Sequence, residues 1–233
     1  MGHAVDFISC ERIEEQVNEH STRTVFNEHY TTGEYILSNG KTLDKTVREE
    51  LKLNGARIYS ELISRFKSEV LDKLGADASE NYLTVNARLI RDDTAKHKYR
   101  VPHQTIASYQ ANKEKIDAMY ELRNSMTLTY EERCKLFESR KSVTKSLEYS
   151  KFCDKYDTLI DMISGVENTK YLWTGHSRSY YMKRKSGFGV EFFADVFSST
   201  ATKNTSDLEF VSEFLPDSYS AFKEVLEHLK AVA

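Results

Sequence analysis

Only two prolines and nine glycines occur in the 233 residues of this chain. Proline removes a backbone donor and clashes with the preceding turn, and glycine is the other common breaker. A chain this poor in both sustains long, uninterrupted helices. The apolar spacing agrees. Between residues 46 and 74, Leu51, Ile58, Leu62, Ile63, Phe66, Val70, Leu71 and Leu74 recur at three-four spacing, with Gly75 as a stop. Thr129 followed three residues on by Glu132 is a capping-box signature for a helix running toward residue 149. A closing helix after Pro216 uses Tyr219, Phe222, Val225, Leu226 and Leu229 as its apolar stripe. Residues 3 to about 19 read as a first helix, 104 to 124 as another, and "YDTLIDMIS" as a short amphipathic segment ended by Gly165. "YILSNGKTL" reads as a short hairpin around Asn39-Gly40, while "ENYLTVNARLI" fits helix or strand. Pro102 pushes Val101 out of the helical region, so "HKYRVPHQT" is extended. The expected fold class is mainly α, α+β at most, with little strand.

Composition narrows the functional classes. A net charge of -3 gives no electrostatic footprint for nucleic acid, and the run Lys183-Arg184-Lys185 reads as a solvated face. Hydrophobic residues at 39% and aromatics at 12% supply enough apolar surface to offset ordering entropy. The three cysteines, Cys10, Cys134 and Cys153, form no CxxC pair and read as ordinary thiols in a reducing compartment. No stretch approaches the roughly 18 apolar residues of a membrane span, and no secretory signal opens the chain. The expected location is the cytoplasm of a host cell or a virion. His97, His103 and Glu114 show no spacing that makes them converge, and no phosphate loop or GxSxG elbow occurs.

The texture changes at "NTKYLWTGHSRSYYMKRKSGFG", which is rich in Gly, Ser, aromatics and bases and reads as a structured loop that carries function. Three stretches belong together on chemical grounds: "GHAVD" at 2–6, "GHSRSYY" at 175–181 and "EFFADVF" at 191–197. They offer His3, His176 and Glu191 as zinc-compatible ligands, and catalytic zinc takes three protein ligands while keeping one position for water. Glu191 and Asp195 sit one helical turn apart, so Glu191 can bind a metal while Asp195 orients a ligand histidine from behind.

"GHAVD", "EFFADVF" and the closing "FLPDSYSAF" helix resemble the anthrax lethal factor catalytic domain and related domains of phage head proteins and bacterial toxins. The resemblance covers the first ten residues and about 156 to 230. It implies a single zincin-like domain, with motif-bearing segments 1–20 and 150–233 and a mostly helical insert at 21–149. It implies a gluzincin-type zinc metallopeptidase acting on a protein or peptide. His3 matches the second histidine ligand, Glu191 the glutamate ligand and Asp195 the acidic group behind the ligands. Tyr181 or Tyr180 matches the tyrosine that stabilises the oxyanion. His176 is a further candidate ligand without a firm counterpart in the toxin. Aligned on "GHAVD", Met1 falls inside HExxH, so the first histidine and the general-base glutamate are expected upstream of Met1. Weak zinc binding and no hydrolysis are then expected of this chain. The alternative is a phage minor capsid protein whose partners are virion proteins and which needs no catalysis.

Overall fold

The computed structural model describes residues 12–18, 21–26, 31–100, 104–169, 171–183 and 186–232. It is mainly α, as the scarcity of prolines requires. The first described segment is not the expected helix. Arg12–Asn18 (β1) pairs antiparallel with Ser21–Phe26 (β2), with Ile13 opposite Val25 and Glu15 opposite Arg23. The expected start of that helix and His3 lie outside the described residues, as do Val101 and Pro102. The hairpin at Asn39-Gly40 is present as a tight turn. Leu37 N donates to Lys41 O at 2.8 Å, and Ile36 bridges Thr42.

The chain divides into two compact units: residues 1–65, 151–169 and 173–233, and residues 66–150 and 170–172. The second unit covers much of the expected insert, whereas residues 31–65 belong to the first.

In the first unit, α1 (Leu43–Phe66) carries Leu43, Val47, Leu51, Ile58 and Leu62 into the core at the predicted spacing. The same unit buries apolar residues of α8 (Asp157–Val166), α10 (Gly187–Thr202), α11 (Thr205–Phe214) and α12 (Pro216–Val232). α8 is sunk along residues 158–165, with Leu159, Ile160, Met162 and Ile163 all buried. The buried Glu50 caps α12, accepting from Asp217 N at 3.0 Å and Ser218 N at 2.8 Å, which satisfies backbone donors that a helix start leaves open. Asp207 is also buried and accepts from Thr158 N at 3.2 Å, Thr158 Oγ1 at 2.5 Å and Ser199 Oγ at 2.7 Å.

The second unit holds α2 (Ala76–Lys98), α3 (Ile106–Ala111), α4 (Lys113–Met126), α5 (Tyr130–Ser139), α6 (Lys141–Thr144) and the first four residues of α7 (Leu147–Lys155). "ENYLTVNARLI" is thus helical, within α2. Val85, Leu89, Leu136 and Tyr171 form a core cluster. The capping box at the start of α5 is complete. Asp92 on α2 is buried, receives Lys96 Nζ at 2.7 Å and Leu128 N at 2.8 Å, and pairs closely with Arg133. Arg133 also reaches Asp93 at 3.0 Å and Tyr171 Oη at 2.6 Å.

Candidate metal centre

The centre lies in the first unit and is built from α8, the loop that follows it, a two-turn helix α9 (Arg178–Lys183) and α10. Glycine fixes where these elements can go. A Cβ on Gly189 would stand 2.6 Å from Asp44 N and 2.7 Å from the Gly33 Cα. Only glycine permits that approach, which docks the start of α10 against the start of α1. Gly189 N donates to Asp44 Oδ1 at 3.0 Å and holds the contact. A Cβ on Gly165 would stand 2.6 Å from the Phe188 ring and 2.7 Å from the Tyr181 ring. The bare backbone there lets both rings lie on α8, stacked on each other with centroids 4.3 Å apart.

Tyr181 is fully buried, and its hydroxyl donates to Asp161 Oδ2 on α8, with the Asp161 carbonyl 3.2 Å away. Asp161 also receives the His176 backbone N–H at 2.5 Å, and both its carboxylate oxygens face His176 Nδ1, at 3.1 and 3.0 Å. An Nδ1 proton shared with a carboxylate fixes the tautomer that leaves Nε2 with a lone pair. Nε2 makes no hydrogen bond among the described residues. The His176 ring stacks on Tyr180 with centroids 3.9 Å apart and planes 13° apart. Tyr180 in turn donates its hydroxyl to Glu191 Oε1 at 2.6 Å. Glu191 is buried on α10, not on a solvated face. One ligand atom from each of Asp161, His176 and Glu191 lies within 4.8 Å of the others.

The electrostatics are those of a site short of cations. Asp195 Oδ2, one turn along α10 from Glu191, is buried and has no hydrogen-bond partner among the described residues. Its carboxyl is held well above the ordinary range by loss of hydration, and then by Asp161, Asp157, Glu191 and Asp207. Asp157 retains exposed surface, yet the protein packed around its carboxyl removes part of its hydration. That effect, with Asp207, Asp161 and Asp154, pushes its carboxyl up to about 6. Burial and the Asp161 charge likewise raise the Tyr181 hydroxyl.

Of the residues chosen from the sequence, His176, Glu191, Tyr180 and Tyr181 come together, with Asp195 behind them on the same helix. His3 lies outside the described residues. Asp161 is the member that motif reasoning missed. Its one signal was position: a single acid inside the apolar run Leu159-Ile160-Asp161-Met162-Ile163. An acid held there is buried, and a buried acid needs partners. Among the described residues no helix is long and apolar enough to cross a membrane. Compared with known proteins, the chain matches no family, no curated protein and no solved structure.

Proposed function

We propose that this chain is a zinc metallopeptidase-like domain of the lethal-factor type, with a protein or peptide as its substrate. The observation that carries the reading is that one ligand atom from each of Asp161, His176 and Glu191 lies within 4.8 Å of the others. A half-exposed histidine held by a buried carboxylate, with a buried glutamate beside it, forms a nitrogen–oxygen donor set suited to zinc. Glu191 is the ligand through the carboxylate that Tyr180 orients at 2.6 Å. His176 is the ligand through Nε2. Asp161 holds the imidazole by Nδ1, from behind the ligand, and is not itself a donor to an ion on Nε2. His3 remains the ligand that the family resemblance assigns. Zinc held there supplies a polarised carbonyl and a water whose pKa falls toward about 7. Tyr180 and Tyr181 are the hydroxyls that the resemblance assigns to an oxyanion; Tyr180 donates to Glu191 and Tyr181 to Asp161, so either must release its carboxylate to serve there. None of the described residues repeats the general-base glutamate of the family's first motif, so metal binding is the property to test before turnover.

Equilibrium dialysis of the purified chain against zinc, followed by metal analysis, tests the reading. One zinc per chain is expected, with loss of it in His176→Ala and in Glu191→Gln. A chain that takes up no zinc, or that keeps it undiminished in both variants, overturns the assignment. Zinc uptake without cleavage of any denatured protein substrate supports instead the scaffold reading, in which the phage-type domain serves without catalysis.

A further inference from the structure

A second cavity lies one aromatic layer from the metal centre. It has a volume of about 220 Å³ and is set among α1, α8, α9 and α10. The stacked pair Tyr181–Phe188 joins the two places: the Tyr181 hydroxyl serves Asp161, and Phe188 lines the cavity. Leu51, Val166 and Met182 give it apolar walls, and Met182 is left 65% exposed.

The remaining side chains lining it are three cations, and among the described residues no acid lines it. Arg48 is committed, pairing with Asp44 at 2.5 Å and lying over the Phe188 ring at 4.8 Å. Lys52 and Arg178 make no ion pair or hydrogen bond among the described residues. They come from different elements, α1 and α9, yet both face the same opening. Arg178 and Met182 stand one turn apart on α9, so a charged and an apolar group flank one entrance. Like charges gathered without a counter-ion repel, and an anion entering between them relieves that repulsion.

We propose that this cavity receives a glutamate side chain of a peptide. The carboxylate lies between Lys52 and Arg178, and the two methylenes lie on Phe188 and Met182. Size supports a single residue: whole small-molecule ligands need roughly 300–1,000 Å³. The apolar walls favour an acid on an aliphatic stem over a bare inorganic anion, which would leave them unfilled. The use of this cavity as a substrate pocket rests on the metallopeptidase reading; the binding does not.

Calorimetry on the full chain, with chelator and then with zinc, separates the two. The probes are a capped Leu-Glu-Leu tripeptide, its Leu-Gln-Leu counterpart and inorganic phosphate. The glutamate peptide is expected to bind about tenfold more tightly than the glutamine peptide without metal. That preference should shrink as ionic strength rises and vanish in the Lys52→Gln/Arg178→Gln double variant. Both residues are exposed, so the variant should keep the wild-type circular dichroism. Equal binding of the two peptides, binding of neither, stronger binding of phosphate, or a preference that survives the double variant overturns the proposal. A glutamate preference in a chain that takes up no zinc keeps the pocket and ends the hydrolase assignment.

Discussion

Asp92 in the second unit and Asp195 in the first both bury a carboxylate oxygen, and the two are neutralised by different means. Burial alone pushes the Asp92 carboxyl up. Lys96, the Leu128 amide and Arg133 outweigh that effect and hold it below its ordinary range. Around Asp195 the neighbours are Asp161, Asp157, Glu191 and Asp207, and its carboxyl is held high. The Asp92 cluster brings its own cations and reads as structural. Among the described residues the Asp195 cluster brings none of comparable reach, leaving there a deficit that either a proton or a bound cation can fill. The contrast is why the first cluster is the candidate site, although both are acidic and both involve tyrosines.

The largest expected effect comes from breaking the compensated cluster. Asp92→Ala takes from the partly buried Arg133 one of its two carboxylates, leaving Asp93, and should cost about 3 kcal/mol, within the range for removing one member of a buried pair. Urea unfolding followed by circular dichroism measures it. A cost under about 1 kcal/mol, the value of an exposed pair, would erase the distinction between the clusters. Next comes the uncompensated side. Asp161→Asn keeps the shape but weakens the grip on His176 Nδ1, and should reduce zinc affinity about 10- to 100-fold, as loss of an orienting carboxylate does. Competition with a fluorescent zinc chelator reads it, and an unchanged affinity would make Asp161 a bystander.

How far the sequence alone reached follows the same divide. The helical class came from missing breakers, and the α1 and α12 stripes and the Thr129 cap came from local periodicity and spacing; each is a property of neighbouring residues. The first helix failed because Ile13 and Val17, four apart, satisfy a helix, yet Ile13, Glu15 and Val17 also satisfy a strand. Only the partner segment Ser21–Phe26, with Thr22, Thr24 and Val25 favouring strand, decides between them. At the site, His176, Tyr180, Tyr181 and Glu191 were legible as a set because they fall within sixteen residues of texture unlike the rest. Asp161 was not, since its membership depends on the loop folding back over α8. The cavity of Lys52 and Arg178 was invisible for the same reason: it joins residues 126 apart in the chain.

pH sharpens the comparison with opposite signs. Asp157 has a folded pKa of about 6, above the unfolded value of about 3.9. Its protonated form therefore favours folding, and that contribution is lost as pH rises from about 4 through about 6. Asp92, with its pKa lowered, contributes stability above the unfolded value and loses it as pH falls through the folded one. Asp157→Asn should then raise the Tm at pH 7 and leave it unchanged near pH 4. The gain should stay below about 1 kcal/mol because the residue retains exposed surface. Asp92→Asn should lower the Tm at pH 7 and lose its effect at low pH. Thermal melts across that range test both, and shifts of the same sign for the two variants would break the contrast.

The smallest effect concerns how the second unit delivers its cation. Thr129 Oγ1 accepts from Glu132 N at 3.2 Å, and Glu132 Oε2 accepts from Thr129 N at 2.8 Å. The next backbone bond, from Arg133 N to Thr129 O at 3.0 Å, begins the turn that aims Arg133 at Asp92. Thr129→Ala should cost about 1 kcal/mol, the usual value of an N-cap, and Thr129→Ser much less. Because the cap positions the arginine, its loss should overlap with loss of the pair. The double variant Thr129→Ala/Asp92→Ala should then destabilise by less than the sum of the singles, by at least about 0.5 kcal/mol. Strict additivity in urea unfolding would mean that Asp92 holds Arg133 unaided, and that the compensation of the second cluster owes nothing to the helix start that the sequence announced.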